Sequence, residues 1–204
     1  DISGASINTF ILDSTDNVTV SNSLTAKALT LIADDDLVIS ENVTSSVGSI
    51  ILESNDNGGA GAALTFGAGK TVQSADDLTL ISNSATASAI GALTLRSVDN
   101  LDIQGSFTAT SGALTLSADT STAGSGLLTF DALNAAGQTV DLSGNDLGIG
   151  GAFSADIITF DSTNARNISL GDDNGGVVIS TTDLQNITAG TSFEVSTAGA
   201  VTID

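Results

Sequence analysis

Carboxylates are the one reactive side-chain class this sequence supplies in quantity: Asp and Glu number 24 against 4 Lys and Arg, a formal net charge of −20. They gather at Asp34-Asp35-Asp36, at Asp56 ahead of Asn57-Gly58-Gly59, and at Asp172-Asp173 ahead of Asn174-Gly175-Gly176. Carboxylate and carbonyl oxygens crowded into a loop are how proteins hold hard cations such as Ca²⁺. Those six aspartates are therefore the candidate metal ligands. The competing reading is a set of solvated turns. Calcium-binding nonapeptide repeats use Gly-Gly-x-Gly-x-Asp, whereas the nearest stretch here, Gly58-Gly59-Ala60-Gly61-Ala62-Ala63, has Ala63 at the aspartate position. The turn reading is preferred, with no resident metal or cofactor expected and only a non-specific response to divalent cations.

Paired acids also run glycosidase chemistry, but only in a cleft that grips sugar. The chain has no Trp or Tyr to build such a platform, and no His, Cys, Met or Pro. The commonest general base, every thiol nucleophile and the usual zinc ligands are thereby missing. Lys27, Lys70, Arg96 and Arg166 are far apart in the sequence and form no evident constellation. The expectation is no enzyme, and a carbohydrate-active β-helix is the weakest reading. Four basic residues are also too few to neutralise a phosphate backbone, so nucleic acid is not an expected partner. No apolar run reaches the roughly 18 residues of a membrane span, and Asp1-Ile2-Ser3-Gly4 lacks the features of a signal peptide. The chain reads as a mature or internal fragment without membrane insertion.

Whatever positions the acids is built from strands. Leu, Ile, Val and Phe make up 57 of the 204 residues, well above the roughly 20% typical of disordered acidic chains. They alternate with Thr, Ser or Asp in short runs such as Leu29-Thr30-Leu31, Leu93-Thr94-Leu95 and Leu101-Asp102-Ile103, separated by Gly, Asn, Asp and Ser. Period two bounded by turn residues marks strands, and almost no helix is expected. Three strand types recur in order. Leu93-Thr94-Leu95, Leu101-Asp102-Ile103 and Phe107-Thr108-Ala109 are followed by Leu114-Thr115-Leu116, 21 residues after the first. Ala28-Leu29-Thr30-Leu31 returns as Ser49-Ile50-Ile51-Leu52, again after 21, and the turn before it takes 19. A longer echo pairs Gly48–Phe66 with Gly112–Phe130 at a separation of 64, read as three coils.

A 20-residue unit cannot bury its own apolar face, so it must stack. The expected fold is an all-β parallel β-helix, a three-faced β-solenoid of about ten coils of roughly 20 residues, with 1–204 a single continuous segment of a longer repeat protein. All seven Phe then point inward. An antiparallel sandwich is the competitor, but it needs no fixed order of three strand types.

The coil Gly91-Ala92-Leu93-Thr94-Leu95, Asp99-Asn100-Leu101-Asp102-Ile103, Gly105-Ser106-Phe107-Thr108-Ala109 resembles the shaft repeats of filamentous haemagglutinin-type adhesins, and Ile179 to Thr191 with Gly199-Ala200-Val201-Thr202-Ile203 is similar to a segment that recurs in them. The resemblance implies a secreted or cell-surface, non-enzymatic structural or adhesive shaft of a bacterial β-solenoid protein. The alternative is a self-assembling extracellular fibre subunit stacking end to end. Homotypic end-to-end contacts, or contacts with further solenoid in a longer chain, are the expected associations, beside an unidentified surface receptor. Four Asn-x-Ser/Thr tripeptides begin at Asn17, Asn42, Asn167 and Asn186; the repeat itself generates them, since Asn ends a turn, the next residue points inward and the hydroxyl points out. Outward Thr, one per Leu-Thr-Leu strand, fits strand propensity better than an ice-binding face, which would need two.

Overall fold

A computed structural model of the chain describes residues 8–55, 61–120, 126–162, 166–171 and 177–203. Within them the chain is a parallel β-helix with three faces. The first face stacks β1 (Thr9–Ser14), β4 (Ala28–Ala33), β7 (Ile50–Ser54), the opening parts of β10 (Leu78–Ile90), β12 (Leu101–Ser111) and β14 (Leu127–Gly144), and β15 (Asp146–Ile149). The second stacks β2 (Val18–Val20), β5 (Leu37–Ile39), β8 (Ala63–Phe66), the later parts of β10 and β12, the middle of β14, and the starts of β16 (Phe153–Ser162) and β19 (Ile187–Ser196). On the third lie β3 (Leu24–Ala26), β6 (Val43–Ser45), β9 (Lys70–Gln73), β11 (Leu93–Arg96), β13 (Leu114–Ser117) and the ends of β14, β16 and β19.

Alternation dictates the interior. In β4 every second residue is buried, and each buried residue meets its counterpart one rung away: Leu29, Ile50, Leu78, Leu101, Leu128 and Leu147 form one column. Leu93 pairs with Leu114, as the repeat requires. All seven Phe join the core, with Phe10 and Phe193 partly buried near its two ends. Phe66 and Phe107 lie two rungs apart, and the small Ala87 and Ala89 on the rung between them let the rings approach to 6.1 Å between centroids; Phe130 meets Phe153 edge-on at 5.1 Å.

The step between rungs is not constant. Pairing advances by 19 residues from Leu24 to Val43, by 29 from Val43 to Val72, and by 34 from Phe153 to Ile187. Strands keep their register while a longer corner absorbs the excess of the 29-residue step and two added strands and a helix fill the 34-residue one, so eight rungs on the second and third faces use the residues that ten regular coils would have used. The 64-residue echo is corrected for the same reason. Leu52 lies on the first face but Leu116 on the third, and Leu64 on the second but Leu128 on the first. Gly-x-Leu-x-Leu suits any face, so the echo does not count coils.

The first face departs from the pattern after β15. A second sheet, ordered β18 (Val177–Ser180), β17 (Ile168–Gly171), β20 (Val201–Ile203), follows it, and β18 packs on β15 without a backbone ladder. The six-residue helix α1 (Thr181–Asn186) bridges the break. Its start is a capping box: Ser180 Oγ accepts from the Asp183 N–H at 3.1 Å while Asp183 Oδ2 accepts from the Ser180 N–H at 2.9 Å. Asp183 Oδ1 then accepts from the Ile149 N–H at 2.8 Å, and Asn186 Nδ2 donates to the Ile149 carbonyl at 3.1 Å. Two side chains thus supply what a neighbouring strand would have supplied.

Candidate functional site

Each corner of the solenoid must satisfy backbone groups that the strands leave behind, and acids and amides do that work. Asn17 Oδ1 accepts from the Asp36 N–H at 2.9 Å, and Asp36 Oδ1 accepts from the Ala63 N–H at 2.8 Å, one rung further on. Asn42 does the same for Thr71, Asp77 for Asn100, Asn100 for Leu127 and Asn167 for Ala200. This ladder accounts for three of the Asn-x-Ser/Thr asparagines, and the bond from Asn186 to Ile149 accounts for the fourth.

The Asp34–Asp36 cluster is therefore a turn between β4 and β5. Asp34 and Asp35 bond through their backbones to Ser14 and Asn55, and Asp36 uses its carboxylate on the next rung. Asp56, Asp172 and Asp173 lie outside the described residues.

Three other acids do converge. Asp76, Asp77 and Asp99 each bring a carboxylate oxygen within 4.8 Å of the others, the one such group of three among the described residues. They stand on the corner between the third and first faces, one rung apart. Local sequence puts them there: Ser74-Ala75-Asp76, Ser97-Val98-Asp99 and Ser117-Ala118-Asp119 repeat a Ser-x-Asp motif at the ends of successive third-face strands. Ser74 and Ser97 take equivalent inward positions, while Ser117 stands one position earlier, level with Arg96; all three are buried. Ser74 Oγ donates to the Asp77 carbonyl at 2.7 Å and Ser97 Oγ to the Asp99 carbonyl at 3.2 Å, which closes each aspartate-bearing turn on its own serine.

Crowding has an electrostatic cost. Asp99 has its pKa raised, first by desolvation, then by its hydrogen bond with Asp76 and by the charges of Asp76, Asp77 and Asp119. A proton on Asp99 or a hard cation among the three relieves the same repulsion. Two of the carboxylates already have protein partners: Asp76 accepts from Ser49 Oγ at 3.0 Å, and Asp77 from the backbone and side-chain nitrogens of Asn100 at 3.1 and 2.9 Å. Reading acids by adjacency alone misses this group, because Asp99 joins Asp76 only after one full turn. The repeated Ser-x-Asp motif is the signal that aligns them.

Three of the four basic residues are held locally. Lys27 Nζ donates to Asn8 Oδ1 at 2.7 Å, Lys70 pairs with Glu41 at 3.1 Å, and Arg166 Nη1 donates to Asn145 Oδ1 at 2.8 Å. Arg96 is exposed at the end of β11.

No helix among the described residues is long and apolar enough to cross a membrane. No protein-family model, curated protein or solved structure matches the chain.

Proposed function

We propose that the chain is a non-enzymatic structural shaft, part of a secreted or cell-surface protein of the filamentous haemagglutinin type that its repeats resemble, holding adhesive or matrix functions at a distance. The observation that carries this reading is where the polar groups go. Corner Asn and Asp side chains bond to the backbone of the next rung, and serines of neighbouring rungs bond to one another, Ser45 to Ser74 and Ser143 to Ser117. The side chains that could have served a substrate serve the continuity of the stack.

Antibodies raised against the purified chain test the reading on cells that make it. Labelling of intact, unpermeabilised cells, or recovery from the medium, is expected. Label that appears only after permeabilisation overturns it.

A further inference from the structure

The second and third faces pass from β16 to β19 in one step, yet the first face places both β18 and β17 between β15 and β20. β18 follows β17 in the chain but lies between β17 and β15, as a wedge. The sequence is in register across that wedge. Leu147 and Ile149 of β15 stand 21 residues before Ile168 and Leu170 of β17, the step of a regular coil. The backbone edges match as well. Gly150 donates its N–H to the Phe130 carbonyl on the β14 side, so by alternation Leu147 and Ile149 turn theirs toward β18. Side chains take both: Asp146 Oδ1 accepts from Leu147 at 2.9 Å and Asp183 Oδ1 from Ile149 at 2.8 Å, while Asn186 Nδ2 covers the Ile149 carbonyl. On the far side of the wedge, Val177 pairs with Ile168 and gives its N–H to the Asn167 carbonyl at 3.0 Å. Setting Leu147 opposite Ile168 puts the Leu147 N–H on that same carbonyl.

We infer that β17 and β18 compete for the edge of β15, and that α1 is the clamp that sets the balance between them. In the structure β18 holds the slot. In the exchanged state β17 steps down by about 4.8 Å onto β15, β20 moves with it through their ladder, and β18 leaves together with α1. One four-residue parallel ladder replaces another, so backbone bonding is nearly conserved. Val177 and Ile179, now fully buried, lose their cover, while Val201 and Ile203, 46% and 80% exposed, come one rung nearer to β19. A two-state element shifts only by what differs between its states, and the difference that favours the wedge is the clamp. Asp183 and Asn186 reach Ile149 only while α1 lies against β15. The device displays or retracts β18 and α1 without opening the second or third face, whose ladders from β16 to β19 are untouched.

The chain has no cysteine, so introduced pairs report the register without background. Ser169→Cys with Val178→Cys reads the wedge, in which the two positions are opposite each other. Ser169→Cys with Gly148→Cys reads the exchanged state, because two strand spacings of roughly 10 Å separate them in the wedge, beyond the roughly 7 Å that a disulfide bridges. In a glutathione buffer the 148–169 pair should close at least tenfold more slowly than the 169–178 pair. Adding Asp183→Ala and Asn186→Ala together should speed the 148–169 closure at least tenfold; Asp183→Ala alone leaves Asn186 on Ile149 and the wedge in place. A 148–169 pair that closes in neither background, or at one rate in both, overturns the proposal. A Cβ at Gly148 meets Thr129 at 3.1 Å, so hydrogen exchange on the cysteine-free Asp183→Ala, Asn186→Ala chain gives a second readout. The Ile179 amide should lose protection while the Ser169 amide, which faces β18 in the structure, keeps it by bonding to β15. Loss at both is fraying without exchange, and it also overturns the proposal.

Discussion

The early rungs and the last one solve the same problem by different means. Between β4 and β7 the rungs are joined by a backbone ladder, and inward residues such as Leu31 and Leu52 are sealed from water. Between β15 and β18 the ladder is missing, and Asp183 and Asn186 bond to Ile149 in its place. Beyond that break the inward residues of β19, Phe193 and Val195 among them, are only partly buried, and Ile203 of β20 is 80% exposed. A parallel stack therefore tolerates a missing ladder on one face, provided that side chains satisfy the orphaned backbone and the other two faces stay paired. β16 and β19 supply that pairing, from Phe153–Ile187 to Asp161–Ser196.

The sharpest way to separate the two regions is to hollow out each. Phe160→Ala removes a fully buried ring and should cost about 3–5 kcal/mol. Phe193→Ala, one rung on, should cost about 1–2 kcal/mol because its ring is already partly in water. Chemical denaturation of both variants checks the ratio, and equal losses would mean that the last rung is as tightly packed as the rest.

Next in size is the side-chain bridge. Asp183 is 9% exposed and serves both as the helix cap partner and as the acceptor for Ile149. Asp183→Ala should cost about 2–3 kcal/mol, the sum of a lost cap and an orphaned buried donor. Hydrogen exchange locates the damage: the Ile149 amide should lose protection while the Leu31 and Leu52 amides keep theirs. Uniform loss along the chain would show that the break does not insulate the earlier rungs.

A smaller effect comes from the acid group on the corner. The folded state raises the Asp99 pKa above its ordinary value of 3.8, so it binds that proton more tightly than the unfolded chain does. The stabilisation is fully present below 3.8 and is lost as pH rises through the raised value. Thermal melts of the parent should therefore show a fall in this window that Asp99→Asn flattens, leaving the variant the more stable at neutral pH. Parallel profiles would remove the crowding argument. Smallest of all should be the response to divalent cations: Ca²⁺ and Mg²⁺ should raise the melting temperature alike, as screening of a −20 chain requires. Tight, saturable Ca²⁺ binding lost in Asp76→Asn would instead assign a specific site.

Much of the architecture was legible because alternation and turn chemistry are local. Leu93 and Leu114 face each other, and Phe66, Phe107 and Phe160 point inward, for reasons visible in five-residue windows. What stayed hidden depends on corner length, which no local rule sets. The 29-residue step from Val43 to Val72 moves every later strand to an unexpected rung, and the strands and helix added between Phe153 and Ile187 do so again. The candidate acids suffered from the same blindness. Asp34-Asp35-Asp36 drew attention as neighbours in sequence, yet Asp36 is occupied by Ala63, while Asp76 and Asp99 meet only through stacking. The helix was the other surprise: Ser180-Thr181-Thr182-Asp183 carries a capping signal, but it sits inside a run that otherwise reads as strand.

Variable corners have a consequence for how such a molecule can change. Since the strand-to-strand register survives steps of 19 and 29 residues alike, extra sequence can be spliced into a corner without disturbing any interior column. A single residue added within a strand, by contrast, would turn the rest of that strand inside out. Spacers, epitopes or whole binding loops could therefore be grafted at the corners at little thermodynamic penalty, each at a height along the axis chosen by the rung that carries it.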